Sequence, residues 1–317
     1  MLVVCPNPTV DRQVILPAVE PGNVLRASEN KAFPAGKAVS AARGSRANGA
    51  RPEVHVLLPD EGADWYETTL RDEGMNVISH RYPGVLRETI LLYEDSGRVT
   101  VINGNGADVE PERWREFVKA VCDRILPGGW VVCSGSFPPG VTEADVTDFV
   151  TRVVRAGGRL ALDTGPAWLA AGIAGRPALI SPNLAEAEAV LSGAETPEPV
   201  EPGADALRRA ELAAVKLQSR GVSHVTVTAG AAGVAWATPD GTGKLPGIDV
   251  EVRNPIGAGD AFLGGLLSWL EVGWSFPEAV RWGMATACAA IGQWSPGAAS
   301  AEDAARYHAR LTPAETH

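Results

Sequence analysis

Short runs of consecutive apolar residues, bounded by glycine or proline, alternate along this chain with longer segments whose apolar positions recur every three or four residues. The runs at 2–5, 54–58, 130–134, 159–163, 178–181, 224–228 and 233–237 predict strands. Several are apolar without interruption, as strands buried on both faces of a parallel sheet must be. The segments 37–48, 65–73, 111–126, 145–156, 184–191, 204–220 and 261–272 have helical periodicity. Alternation at this pace predicts an α/β fold: a mostly parallel central sheet with helices on both faces.

Two stretches break the rhythm. Residues 10–33 and 85–103 hold strand patterns at 13–16, 24–27, 88–93 and 98–102 with no helix between them, and 94–97 is a turn. They predict a small accessory β-sheet, a lid over the carboxyl edge of the main sheet, where open α/β folds bind ligands. The chain then reads as one domain, 1–317, with the lid inserted. Residues 194–203, acidic and proline-rich, predict a solvated loop.

Composition narrows the partners. The 38 acidic residues outnumber the 28 lysines and arginines, for a net charge of −10, and no basic cluster occurs. A nucleic acid or a membrane surface would need a basic face, so neither is expected. The four cysteines are far apart without CxxC spacing, and the five histidines are equally scattered. A structural metal site is not expected, and thiols this sparse suit a reducing cytoplasm. The amino terminus has no basic region leading into an apolar stretch, and the longest uncharged runs, 221–239 and 282–301, are interrupted by polar residues, Gly or Pro. Neither a signal peptide nor a membrane helix is expected.

The chemistry concentrates in NPIGAGDAF at 254–262, which runs into the apolar helical stretch 263–270. Gly257 and Gly259 permit backbone conformations that other residues resist. Free N–H groups at the start of the following helix, with its dipole, form an anion site. The same field is expected to favour ionised Asp260, which suits a base. A carboxylate beside an anion-binding turn is what phosphoryl transfer to an alcohol requires. The same residues also fit a plain glycine turn in which Asp260 caps the helix.

NPIGAGDAF resembles the carboxy-terminal signature of the ribokinase-like (PfkB) carbohydrate kinases, and five further motifs extend the resemblance along the chain. NPTVD at 7–11, AGKAVSAAR at 35–43, SGSFPPG at 134–140, DT at 163–164 with PNLAE at 182–186, and TAGAAG at 228–233 are similar to motifs of the branch that phosphorylates ketohexose phosphates, the 1-phosphofructokinases and tagatose-6-phosphate kinases. The resemblance implies an ATP- and Mg²⁺-dependent kinase with a ribokinase-like fold and a β-sheet lid that forms a homodimer contact in many members. Asp260 would be the base, and Gly257, Ala258 and Gly259 the anion hole. Asn183 and Glu186 would help hold Mg²⁺ through water, and with Thr228, Gly230 and Gly233 would border ATP. Asp11, Gly36, Lys37, Ser40, Arg87 and Asn103 would face the sugar, Lys37 and Arg87 as anchors for its phosphate. A cation at the start of a helix opposes the dipole, so a bound anion explains Lys37 better than structure does. Asn183 and Glu186 also fit a helix-capping box, and Asn103 a turn.

Some positions depart from the family pattern. The usual GGKG reads AGKA at 35–38, with Ser40 in place of an asparagine. The lid pattern RxNxK reads Arg87-Glu-Thr89-Ile-Leu91, so one phosphate-binding cation is missing. The transfer apparatus is complete and the sugar pocket is altered. A ketohexose phosphate is the expected substrate. The rivals are an unphosphorylated sugar or nucleoside, and a binding protein that transfers nothing.

Overall fold

A computed structural model of the chain describes residues 1–194, 203, 205–312 and 315–316, so the loop expected at 194–203 lies almost wholly outside the described residues. The strands are β1 (Leu2–Cys5), β2 (Thr9–Leu16), β3 (Glu29–Ala35), β4 (Glu53–Glu61), β5 (Asn76–Val85), β6 (Glu88–Glu94), β7 (Val99–Asn103), β8 (Trp130–Ser134), β9 (Arg159–Asp163), β10 (Leu179–Ile180), β11 (His224–Thr228), β12 (Gly233–Thr238), β13 (Gly241–Pro246) and β14 (Glu315–Thr316). The helices are α1 (Lys37–Ala47), α2 (Ala63–Asp72), α3 (Pro111–Cys122), α4 (Glu143–Arg155), α5 (Pro166–Ala174), α6 (Leu184–Ser192), α7 (Ala206–Gln218), α8 (Ala258–Glu271), α9 (Phe276–Ile291) and α10 (Ala301–Arg310).

Ten strands form the main sheet in the order β14-β13-β12-β11-β10-β9-β8-β1-β4-β5, parallel from β11 to β5. Alternate residues feed two separate cores. Val3, Val54, Val56 and Val132 face a layer containing α1, α2, α8, α9 and α10, while Val4, Leu57, Val131 and Leu160 face α3 to α7. The winding reverses between β1 and β8, and such a switch point opens a crevice at the carboxyl ends of the strands. Asn7, just after β1, donates to Ser136 Oγ, just after β8, at 3.0 Å across that crevice.

The lid is a four-stranded sheet, β3-β2-β6-β7. Its first hairpin differs from the expectation: 24–27 forms no strand, and β3 pairs with β2 from Ile15↔Glu29 to Thr9↔Ala35. Pairing with β2 over seven residues prevails over the local apolar character of 24–27. Pro34 is tolerated because β3 is an edge strand. Pro83 and Gly84 hid β5, also an edge strand, from the sequence pattern. The helices α5, α9 and α10 were likewise not expected. In α5 and α9 small and apolar residues surround much of the helix, which erases the periodic signal.

The packing of α1 on α8 sets the distance between Lys37 and Asp260, because each residue lies in the first turn of one of these helices. The two backbones touch. A Cβ on Gly264 would lie 2.0 Å from Ala41 O, and one on Gly44 2.7 Å from Ala261 O. Replacing glycine by alanine inside a helix ordinarily stabilises it by about 1 kcal/mol. Here we expect Gly264→Ala to destabilise the fold by about 1–3 kcal/mol in urea unfolding, because the methyl forces the helices apart. A stabilised variant would contradict this packing.

Candidate active site

Four charged side chains converge at the carboxyl ends of β8 and β9. Asp260 occupies the first turn of α8, Asp163 ends β9, Glu186 lies in the first turn of α6, and Lys37 begins α1. Lys37 Nζ stands 3.5 Å from both Asp163 Oδ1 and Glu186 Oε1. Ser134, at the end of β8, donates to Asp163 Oδ2 at 2.9 Å and lies 3.4 Å from Asp260 Oδ1. Burial opposes the charge on Lys37, yet Asp163, Glu186 and Asp260 outweigh it and raise its pKa. This corrects the reading from the helix dipole alone: carboxylates on three other elements compensate the cation.

A second correction concerns Asp260. It is 7% exposed, and burial, reinforced by Asp163 and Glu186, outweighs Lys37 and lifts its pKa well above the ordinary carboxylate range. The helix terminus does not dominate, because three carboxyl groups share one ammonium. The turn before Asp260 has the expected form. Gly257 caps α8 with φ +82°, and the N–H groups of Gly259 and Asp260 take no partner among the described residues. A Cβ on Gly259 would meet nothing within 4 Å, so this backbone is open to a ligand. Gly257 instead packs on the Gly297 backbone, and Gly297 on Ser40. Ser40 is therefore buried beneath that loop, a support of the anion turn more than a wall of the sugar pocket.

On the α6 side, Asn183 and Glu186 form a reciprocal capping box: Asn183 Oδ1 accepts from Glu186 N–H, and Glu186 Oε2 from Asn183 N–H. Asn183 Oδ1 is thus spent on the helix, while Glu186 Oε1 faces Lys37 and the site. Burial, against Lys37, raises the Glu186 pKa. A divalent ion that keeps its waters fits Glu186 and Asp163. Asn183, Thr228 and Gly230 line a cleft of about 290 Å³ with Ala229 and Ala231. Gly233 lies outside it. A Cβ there would meet Leu245 O at 2.1 Å, so this glycine serves the close pairing of β12 with β13.

A larger cavity of about 630 Å³ lies on the other side of Lys37, bordered by Asn7, Arg87, Asn103, Glu186 and Trp168. Arg87 is half-buried and donates to the carbonyls of Asn7, Pro8 and Gly104, at 3.0, 3.2 and 3.4 Å. It forms no salt bridge among the described residues. Asp11, on β2, is 6% exposed and its carboxylate takes no hydrogen bond among the described residues. Burial pushes its pKa up to about 6, with Arg43 and Arg87 pulling the other way. Gly36 caps α1 with φ +132° and backs onto Cys5 Sγ. Asn103 accepts a hydrogen bond from Thr89 at the cavity rim. Leu91, in the place of the lid cation, is 1% exposed and buried in the lid's inner face.

Sequence reading had not singled out Asp163, Ser134, Asn7 or Trp168 as site residues. Only the DT motif hinted at Asp163, because a lone aspartate after a strand has no local signature. Among the described residues no group of three or more His, Cys, Asp or Glu forms a metal cage, and no helix is long and apolar enough to cross a membrane.

Comparison with known proteins agrees with this geometry. The model of the pfkB family of carbohydrate kinases matches residues 7–304. The 1-phosphofructokinase of Escherichia coli K12 is 28% identical over 305 residues, covering 96% of this chain and 95% of its own. That of Haemophilus influenzae is 29% identical over 266 residues, covering 84% and 82%. In structure, Escherichia coli phosphofructokinase-2 in complex with fructose-6-phosphate superposes with a TM-score of 0.87 at 23% identity, covering 98% of both chains. Ribokinase-like architecture, lid sheet, glycine turn and buried aspartate together identify the chain as a member of the pfkB family of carbohydrate kinases.

Proposed function

We propose that the protein transfers the γ-phosphoryl group of ATP to a hydroxyl of a ketohexose phosphate. The observation that supports this most is that Asp260, beside the open N–H groups of its turn, shares one charge cluster with Lys37, which with Arg87 lines the larger cavity. Asp260 takes the proton of the attacking hydroxyl as the new O–P bond forms and the bond to the leaving ADP breaks. The N–H groups of Gly259 and Asp260 lower the charge that develops on the phosphoryl oxygens, with Gly257 and Ala258 shaping that turn. Mg²⁺, when bound with the nucleotide, supplies further neutralisation; Asp163 and Glu186 Oε1 would hold its waters. The cleft at Asn183, Thr228 and Gly230 is assigned to the nucleotide. Asp11 accepts hydrogen bonds from sugar hydroxyls.

Arg87 supports a phosphorylated sugar. It is a cation facing the cavity with no carboxylate paired to it among the described residues. Relatives named 1-phosphofructokinase point to the same substrate class. One observation favours a free sugar instead: three donors of Arg87 are already committed to backbone carbonyls, and Leu91 brings no charge. A cytoplasmic location and a homodimer through the lid complete the proposal. Val101 and Ile102, exposed on β7, are the apolar surface such a contact would cover.

ADP release should be measured with ATP and Mg²⁺ over fructose 1-phosphate, fructose 6-phosphate, tagatose 6-phosphate, the free sugars, ribose and adenosine. Turnover on one phosphorylated ketose is expected; turnover on a free sugar alone would overturn the substrate class. Arg87→Ala should raise KM for the sugar phosphate by about ten- to a hundredfold while changing KM for any free sugar far less. Asp260→Asn should lower kcat by at least about a hundredfold with ATP still bound. It should also melt at a higher temperature. A carboxyl whose pKa is raised on folding costs stability as pH rises through that pKa, so the gain should be larger at pH 8 than at pH 5. Wild-type turnover in Asp260→Asn would contradict its role as base.

A further inference from the structure

The lid touches the anion turn at one place away from the sugar cavity. On its inner face β2 and β6 run parallel, and their buried positions include Gln13, Leu91 and Tyr93. Tyr93 OH donates to Asn254 Oδ1 at 2.9 Å, and its ring meets Trp294 edge-on at 6.5 Å. Gln13 Nε2 donates to Trp294 O at 2.9 Å. Asn254 is 1% exposed and sits three residues before the cap of α8. Its Oδ1 also accepts from Ile256 N–H at 3.0 Å, and its Nδ2 donates to the same Trp294 O at 2.8 Å. One amide thus receives the lid, fixes the start of the turn and anchors to the 292–299 loop. That loop carries Gly297, against which Gly257 packs.

We propose that Tyr93 is a positioning residue for phosphoryl transfer: through Asn254 it couples the seated lid to the geometry of the 257–260 anion turn. Tyr93 touches neither the 630 Å³ cavity nor the nucleotide cleft, so it acts on the turn and not on a ligand. A turn with two unpartnered N–H groups and a positive-φ glycine has little of its own to hold it, and the lid supplies the missing constraint. A lid pushed off this seat by an ill-fitting sugar would release the Tyr93 hydroxyl from Asn254 and leave the turn loose. The coupling would therefore tie the apparatus of transfer to the fit of the bound sugar. The inference rests on the kinase reading above and deepens it.

Tyr93→Phe removes one hydroxyl and leaves Asn254 bonded to Ile256 and Trp294, so the fold should survive. Amide hydrogen exchange of the unliganded protein is the first test. Exchange across 254–260 should quicken in Tyr93→Phe, while β8 and β9 stay unchanged. An unchanged turn would overturn the coupling whether or not the protein transfers phosphate. In steady-state kinetics, kcat should fall about three- to tenfold, as for one lost hydrogen bond, with KM for the sugar within about twofold. A rise in sugar KM at constant kcat would mean that Tyr93 serves the sugar, and would also overturn the proposal. In an Asn254→Ala background Tyr93→Phe should have no further effect on kcat. Additive losses would assign Tyr93 another route. Gln13→Met, which breaks the parallel contact to Trp294 O, should quicken the same exchange. Failure of the wild type on every substrate would count against the kinase reading alone, because the exchange result stands apart from it.

Discussion

One ammonium group answers three buried carboxyl groups at the heart of this protein. Lys37 lies 3.5 Å from Asp163 and from Glu186, and its charge is felt by Asp260 on the far side of Ser134. Full ionisation of all three carboxyls leaves the cluster net negative in a poorly solvated place, which is costly. Burial and the two neighbouring carboxyls therefore favour the protonated form of Asp260. That suits a group that must gain a proton during transfer, since a base with a raised pKa is a stronger base. The same imbalance leaves room for a hydrated divalent ion beside Glu186 and Asp163. The strain of the cluster and its chemistry have one origin.

The fold exists to keep these groups together. β8 and β9 deliver Ser134 and Asp163, and the helices α1, α6 and α8 each present Lys37, Glu186 or Asp260 in the first turn. The close backbone contact of α1 with α8, at Gly44 and Gly264, leaves little slack between Lys37 and Asp260. The lid is tied to the body on both sides of the site. Arg87 links it to the loop after β1, and Arg43 bonds to Pro34 O in β3 and Pro296 O in the 292–299 loop. The sugar pocket and the anion turn are therefore built on shared supports.

Much of this was legible in the sequence because it is local. The GAGD turn declares itself through a glycine, Gly257, that takes positive φ next to a helix start, and β1, β8, β9 and β11 have the bounds their apolar runs predict. What was hidden depends on distance along the chain. Lys37 and Asp163 are 126 residues apart, and Tyr93 and Asn254 are 161 apart, so neither pair leaves a spacing to read. Ionisation was hidden for the same reason. The helix dipole acting on Asp260 can be inferred from its position, but burial and the two neighbouring carboxyls that reverse its effect cannot. At Gly233 a motif that resembles a ligand loop turned out to serve strand packing, because the Leu245 carbonyl is supplied by a different strand. The strand expected at 24–27 gave way to 29–35 because β2 accepts only the latter in register.

The dependence of kcat on pH at saturating sugar, compared between the wild type and Lys37→Gln, tests this account most directly. In the wild type, activity should fall on the acid side at a pH above the usual carboxylate range, where Asp260 takes up its proton. Removing the only cation of the cluster should shift that acid limb to still higher pH, whatever the loss in absolute rate. An acid limb that stays in place, or that lies in the ordinary carboxylate range in both proteins, would contradict a base governed by one lysine among three carboxyls.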